Sequence, residues 1–196
     1  MRLFVAVEID PRIVQKIARS VDELRRRVDE RAPRARIGWA STERLHVTVR
    51  FIGETSEAQA ASIASSLAPA LPVEPFDVTV QGIGAFPQYG APRVLWAGVG
   101  AGTEGLAALE REVTRRLATC GVAAEERAYR PHVTLARVRE AAGLQTRPLL
   151  DGLLDCPFGT YNVNAITLFL SRPSPKGSIY VPLQSTRLRS PVFSDR

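Results

Sequence analysis

Two short segments with the same pattern constrain this chain more than any other feature of its sequence. His46-Val47-Thr48-Val49 and His132-Val133-Thr134-Leu135 both read His-apolar-Thr-apolar, and the chain contains no third histidine. Side chains two residues apart in a β-strand point to the same face. Each segment therefore predicts a strand that presents an imidazole and a hydroxyl on one face and packs its apolar face on the core.

A single copy of this pattern is also typical of an ordinary half-buried strand whose polar face meets water. One copy alone would favour that interpretation. Two copies that together contain both histidines of a 196-residue chain favour a shared functional site.

The order of predicted elements repeats around the two segments. Strand 2–8, helix 11–29 and strand 45–52 form one unit, and strand 93–99, helix 103–119 and strand 131–138 form the second. Each unit carries one histidine in its second strand. We therefore predict two similar halves, and a pseudo-twofold axis between them would place the two motif strands across one cleft.

The other segments give simpler predictions. Asp10-Pro11 and Ser56 with Gln59 are typical helix starts, and Thr103 is a candidate cap for the helix that follows Gly98 to Gly102. Strand 76–86 and strand-rich 161–171 are predicted from alternation, and residues 30–36 and 140–158 are predicted as connections. A turn at 173–177 leads to a final strand at 179–188.

The composition is that of a globular protein, and 196 residues suffice for one well-buried domain or two small lobes, so we predict a single bilobal domain over 1–196. The chain is 45% hydrophobic and 23% charged, and no apolar run is long enough to span a membrane. The N-terminal apolar run is too short for the core of a signal peptide. Cys120 and Cys156 lack C-x-x-C spacing, so we expect free thiols and a cytoplasmic location.

The charge suits a polyanionic partner without identifying one. The net charge is +6, and Lys16 and Lys176 are the only lysines, so nearly all of the positive charge is arginine. Arginine binds phosphate through a planar, bidentate fork. Genomic base composition can also favour arginine over lysine with no ligand involved.

Two histidines at one site suit general acid–base catalysis, because imidazole titrates near neutral pH and the two rings can differ in protonation. In-line displacement at phosphorus needs such a pair. Thr48 and Thr134 can donate hydrogen bonds to the non-bridging phosphoryl oxygens. A metal site would need three or four ligands, so we expect no metal, unless the fold brings Cys120 and Cys156 to the histidines.

At several segments the chain resembles the two-histidine (2H) phosphoesterases, and within them the bacterial and archaeal RNA 2′,3′-cyclic phosphodiesterases, once called 2′-5′ RNA ligases. The resemblance covers nearly the whole chain. It is carried by 2–7, 45–54, 84–87, 92–98 and 131–137, and by Leu170, Ser171, Gly177 and Tyr180.

The resemblance implies an α+β fold with two pseudo-symmetric lobes of mainly antiparallel β-sheet, outer helices and a central cleft. It also implies hydrolysis of a terminal 2′,3′-cyclic phosphate to a 2′-phosphate, with no cofactor. The resemblance further implies that His46 is the proton donor to the departing 3′-oxygen and that His132 is the proton acceptor from water. The sequence itself does not decide between the two roles. The reverse reaction, with an RNA 5′-hydroxyl in place of water, gives a 2′-5′ linkage.

Further contacts are predicted around the second motif. Arg130 and Arg137 are candidate phosphate-binding residues, although Arg137 would face away from His132 in a regular strand and would then pair with a carboxylate. Tyr129 and Phe51 are candidates for stacking on a base, or for packing beside the core.

Two other functions compete with an RNA phosphodiesterase. One is a non-catalytic RNA-binding module, and the other is an enzyme for small cyclic nucleotides or an ADP-ribose cyclic phosphate. The expected partners are RNA ends or nucleotides that carry a 2′,3′-cyclic phosphate. We expect a monomer with no membrane partner.

Overall fold

The computed structural model describes residues 1–174 and 177–189. Its strands are β1 (Arg2–Glu8), β2 (Arg36–Trp39), β3 (His46–Glu54), β4 (Phe76–Phe86), β5 (Val94–Val99), β6 (His132–Glu140), β7 (Pro157–Val163), β8 (Ala165–Ser174) and β9 (Gly177–Arg187). All of them belong to one sheet in the order β7-β4-β5-β6-β3-β1-β8-β9, with β2 paired to β6. The pairs between these strands are antiparallel.

The helices are α1 (Pro11–Arg31), α2 (Glu57–Leu67), α3 (Thr103–Ala118) and the short α4 (Thr146–Leu149). The Asp10 side chain accepts a hydrogen bond from the Arg12 amide at 2.8 Å, and Ser56 Oγ accepts one from the Gln59 amide at 3.1 Å. The apolar stripes of α1, α2 and α3 are buried. These helices and the α+β class are confirmed.

The sheet consists of two matching halves that meet between β3 and β6. On one side of this junction follow β1, β8 and β9, and on the other β5, β4 and β7. Across this junction, Val47 pairs with Val133. The motif strands are therefore neighbours at the centre of one sheet, whereas the sequence predicted strands on opposite sides of a cleft.

Several local predictions were wrong. β2 and a 3₁₀ turn at Thr42–Arg44 lie where no element was predicted, because four residues on an edge strand carry too little periodicity to be recognised. Residues 140–158 include α4 and the start of β7. Of the predicted turn at 173–177, residues 175 and 176 lie outside the described residues.

The start of α3 was also predicted wrongly. Its cap is Gly102 rather than Thr103, and Gly102 has a left-handed φ of +88°. A Cβ at this position would lie 2.3 Å from the Asp77 carbonyl oxygen, so the close approach of β4 requires glycine.

Candidate active site

Both histidines begin the two central strands and share one face of the sheet. His46 is the first residue of β3 and His132 the first residue of β6. The strands are antiparallel and pair Val47 with Val133, so in this register His46 lies opposite Thr134 and His132 lies opposite Thr48. The described strands pair at Val47 and Val133 alone, and the lowering of the His46 pKa by the charge of His132 shows that the two rings are close. The two imidazoles and two hydroxyls therefore form one group of four side chains.

Backbone carbonyl groups fix the orientation of both imidazole rings. His46 Nδ1 lies 2.7 Å from the Arg44 carbonyl oxygen, and His132 Nδ1 lies 2.7 Å from the Arg130 carbonyl oxygen. A carbonyl oxygen only accepts hydrogen bonds, so each Nδ1 must carry a proton and donate it. Nε2 is then the nitrogen of each ring that can take up or release a proton.

Thr48 contacts the reactive nitrogen of the first histidine. Its Oγ1 lies 3.1 Å from His46 Nε2. When His46 is neutral this hydroxyl donates to Nε2, and when His46 is charged it accepts. Thr48 can therefore stay hydrogen-bonded to His46 before and after a proton transfer at Nε2.

The two rings have different surroundings. The His46 ring packs against Phe4, with ring centroids 5.0 Å apart, and meets the edge of Tyr180 at 5.4 Å. Among the described residues, His132 has one such ring contact, edge-on to Phe86 at 5.6 Å. Burial lowers the pKa of His46 below its ordinary value, and the nearby charge of His132 lowers it further, against the raising effect of the Arg44 carbonyl.

A cavity of about 570 Å³ opens beside this group and is lined by His46, Thr48 and Thr134. His132 is not among the lining residues and lies across from Thr48 on the same face. Of the described residues, four arginines also line the cavity, Arg2, Arg44, Arg137 and Arg139. No Asp or Glu of the described residues lines it, whereas a second cavity of about 340 Å³ at the far end of β3 includes Glu54 and Glu125.

A bulge in each motif strand changes which residues reach this cavity. In β6, Thr134 pairs with Trp96 and Ala136 pairs with Leu95, so Leu135 is an extra residue. In β3, Val49 is the extra residue between Thr48 and Arg50 at the corresponding position. An extra residue reverses the face of every side chain that follows it.

The bulge explains where Arg137 lies. A regular strand would point Arg137 away from His132, but Arg137 lines the cavity together with Thr134. The strand is not regular, so the condition under which Arg137 would face away is not met, and its phosphate contact stays a prediction. Phe51 occupies the corresponding position in β3, is 56% exposed and lines the same cavity.

Arg130 and Tyr129 lie elsewhere. The Arg130 side chain is exposed and is not among the residues that line the cavity, while its carbonyl group holds His132. Tyr129 packs against the core, donates from its hydroxyl to the Thr48 carbonyl oxygen at 3.0 Å, and has a pKa raised by burial. These contacts give Tyr129 a packing role.

The sequence did not single out Trp39, Arg44 or Arg139, which line the cavity. Trp39 and Arg139 reach it through the pairing of β2 with β6 and through the bulge, and neither is visible in a local pattern. The nearest signal is the adjacent buried pair Leu135-Ala136, which interrupts the alternation of β6.

Other features of the described residues bear on cofactors and location. No three His, Cys, Asp or Glu side chains within 1–174 and 177–189 lie close enough to hold a metal ion together. Cys120 and Cys156 are free thiols. None of the described helices is both long enough and apolar enough to cross a membrane.

Comparisons with known proteins agree with this geometry. The model of the 2′-5′ RNA ligase superfamily matches residues 13–172. An RNA 2′,3′-cyclic phosphodiesterase of Aeropyrum pernix is 40% identical over 76% of this chain and 84% of its own length. One of Archaeoglobus fulgidus is 32% identical over 94% of this chain and 98% of its own length.

Solved structures show the same fold. The protein TT0787 of Thermus thermophilus has a TM-score of 0.74 and 26% identity, over 97% of this chain and 99% of that one. LigT of E. coli in complex with 3′-AMP has a TM-score of 0.71 and 25% identity, over 95% and 97%.

Proposed function

Because the chain belongs to the 2′-5′ RNA ligase superfamily, we propose that it is an RNA 2′,3′-cyclic phosphodiesterase that hydrolyses a terminal cyclic phosphate to a 2′-phosphate. One observation carries the proposal. Two imidazoles, each with Nδ1 bonded to a backbone carbonyl group and Nε2 available, share one sheet face with two threonine hydroxyls. The reaction needs an acid and a base around one phosphorus, and this group supplies both.

In the proposed hydrolysis, His132 Nε2 accepts a proton from the attacking water as its oxygen bonds to phosphorus. His46 Nε2 donates a proton to the 3′-oxygen as the P–O3′ bond breaks. The products are a 3′-hydroxyl and a 2′-phosphate. Thr48 and Thr134 donate hydrogen bonds to the non-bridging oxygens, and Arg137 offsets their growing negative charge. A phosphate contact from the Arg130 side chain stays a prediction that the geometry does not favour.

The lowered pKa of His46 bears on its proposed role. A neutral His46 is favoured in the free protein, so it must gain a proton before it can act as the donor. The cyclic phosphate carries one negative charge, and an adjacent anion favours the charged imidazole. A donor with a low pKa is also a stronger acid once it is protonated. In this scheme, binding of the anionic substrate therefore favours the protonated form of His46, which then acts as the donor.

The same acid–base pair would support 2′-5′ ligation, in which an RNA 5′-hydroxyl attacks in place of water, the P–O5′ bond forms as the P–O3′ bond breaks, and a 2′-5′ linkage results. We place the activity in the cytoplasm, where a reducing environment keeps Cys120 and Cys156 as thiols. We expect the protein to act as a monomer, because each half supplies one histidine to the site within a single chain.

The test of the function is product analysis with an RNA that ends in a 2′,3′-cyclic phosphate. The expected product is the 2′-phosphate, with and without EDTA. H46N and H132N should each lower kcat by about 10²–10⁴-fold, the range for loss of one general acid or base. R111Q, at an exposed position on α3, serves as the matched control. Full activity in either histidine variant would reject the proposal.

The two histidine roles need a separate experiment. A substrate with sulfur in place of the bridging 3′-oxygen releases a thiolate, which leaves without a proton. H46N should therefore regain activity on the thio substrate relative to the oxygen substrate, whereas H132N should not. Rescue of H132N instead would make His132 the proton donor and His46 the proton acceptor.

A second candidate substrate is a nucleotide-sized cyclic phosphate, such as a mononucleotide or an ADP-ribose cyclic phosphate. The likeness to E. coli LigT, whose structure contains 3′-AMP, favours this alternative. Comparison of kcat/KM for oligonucleotides and mononucleotides separates the two candidates.

A further inference from the structure

The cavity contains more positive charge than one cyclic phosphate needs. Some arginines outside the cavity pair with nearby carboxylates, as Arg26 does with Glu23 at 2.7 Å and Arg115 with Glu112 at 2.8 Å. No carboxylate of the described residues lies within 4.0 Å of Arg2, Arg137 or Arg139. A cyclic phosphate carries a single negative charge, which the histidines and Arg137 already meet. The remaining arginines therefore indicate a second anionic group in the ligand.

Arg139 is well placed for the next phosphate along a strand of RNA. It follows Arg137 by two residues in β6, about 6.6 Å along a strand of ordinary rise, and both side chains line the cavity, although Arg139 is an extra residue relative to β2. Successive phosphates of a nucleic-acid strand are separated on the same scale. Gly38 of β2 pairs with Arg137 of β6. Its missing side chain leaves room for Arg139, because a Cβ at Gly38 would lie 3.9 Å from Arg139 Nε.

Trp39 lies beside these arginines and lines the same cavity. It pairs with Ala136 in the β2–β6 ladder. The guanidinium of Arg25 covers the ring at 5.4 Å from its centroid. A half-exposed indole in a basic cavity is the kind of surface on which an unpaired base stacks.

We propose that Arg139 and Trp39 form a subsite for the penultimate nucleotide of the RNA. Arg139 binds the phosphodiester that links this nucleotide to the terminal one, and Trp39 stacks on its base. The subsite rests on the proposed function, since it places the cyclic phosphate at the histidines. It makes the end of an RNA chain, rather than a mononucleotide, the preferred substrate.

The test compares four substrates with the intact protein. They are cytidine 2′,3′-cyclic phosphate, its 5′-phosphorylated form, the dinucleotide ApC with a 2′,3′-cyclic phosphate, and the same dinucleotide with a neutral methylphosphonate linkage. We expect kcat/KM for the charged dinucleotide to exceed that for the mononucleotide at least tenfold. The methylphosphonate should lose most of this gain, and the 5′-phosphorylated mononucleotide should show an intermediate gain because it lacks the second base.

Variants of Arg139 and Trp39 then test which residue recognises the charged linkage and which recognises the second base. R139Q should lower kcat/KM for the charged dinucleotide at least fivefold more than for the methylphosphonate, because only the charged linkage uses the guanidinium. W39L should reduce the advantage of the dinucleotide over the 5′-phosphorylated mononucleotide. R111Q, an exposed arginine outside the cavity, should change neither ratio.

Two results would overturn the subsite: equal kcat/KM for mononucleotide and dinucleotide, or an equal effect of R139Q on both dinucleotides. Affinities for the corresponding 2′-phosphate products provide a readout without turnover. If the wild-type protein hydrolyses none of the substrates, the proposed function fails. The ratio of product affinities for dinucleotide and mononucleotide then still decides whether the subsite exists.

Discussion

Chemically identical residues in the two halves of the sheet meet different surroundings. Each histidine has the same support, a carbonyl group two residues before it that holds Nδ1. The difference lies in burial, since Phe4 and Tyr180 flank His46 while Phe86 meets His132 edge-on. The same backbone contact thus fixes the tautomer of both rings, and burial among these neighbours lowers the pKa of His46.

The burial of His46 leads to a prediction for its titration. Removal of the Tyr180 ring in Y180A admits water to His46, so the pKa of His46 should rise toward its ordinary value of 6.5. The charged fraction of His46 near neutral pH should then exceed that in the wild-type protein. Y180F keeps the ring and should leave the pKa of His46 unchanged. An NMR titration of the imidazole signals measures the pKa of His46 in both variants. An unchanged or lower pKa in Y180A would contradict burial by Tyr180 as the cause of the lowered pKa.

Thr48 gives a second prediction at this scale. T48V keeps the shape of the side chain but removes the hydroxyl that contacts His46 Nε2 and is proposed to bind the phosphoryl oxygens. We expect kcat to fall by about 10²–10³-fold, as for the loss of one donor at a developing anion. T48S restores the hydroxyl and should recover most of this rate. The idea fails if T48V turns over the cyclic phosphate within threefold of the wild-type rate.

At the level of the strands, the decisive feature is an extra residue at the same position of each motif strand. Val49 and Leu135 each follow the motif threonine, and both are buried. Each bulge brings the residue five positions after its histidine to the cavity, Phe51 in one half and Arg137 in the other. The halves thus share a backbone irregularity and use it to present an aromatic ring on one side and a cation on the other.

The packing of β4 on β5 predicts a matched pair of stability effects. A Cβ at Gly84 would lie 2.1 Å from the Trp96 ring, whereas a Cβ at Gly38 meets nothing closer than 3.7 Å. G84A should therefore lower the free energy of unfolding by about 1–3 kcal/mol through overpacking. G38A should not lower it, because it reduces the entropy of the unfolded chain without a clash. Urea denaturation of both variants measures the difference, and equal effects would show that Trp96 does not constrain this position.

For the whole molecule, the sequence was most informative where the signal is local. The apolar stripe of α1, the cap at Ser56 and the two histidine motifs each depend on residues close together in the chain, and these elements were predicted. The pairing of β3 with β6 and the placement of Trp39 beside Arg137 depend on long-range register. Hydrophobic periodicity does not encode which strands become neighbours, so the group of four side chains and the wall of the cavity emerged only from the structure.

The distribution of charge over the molecule leads to the last prediction. On α1 part of the positive charge is neutralised locally, and Arg26 and then Arg27 lower the pKa of Glu23 to about 2. The arginines of the cavity lack such partners among the described residues, so they contribute strongly to the field that a polyanion meets.

Binding of a short RNA that ends in a 2′-phosphate should therefore weaken steeply with salt. For single strands, the slope of log K against log salt is about −0.7 for each phosphate that the protein neutralises. R139Q should make the slope shallower by about 0.7, since it removes one such contact. R111Q on α3 should leave the slope unchanged, because Arg111 lies outside the cavity. Titrations between low and physiological salt measure these slopes, and equal slopes for R139Q and R111Q would mean that the cavity arginines do not follow the RNA backbone.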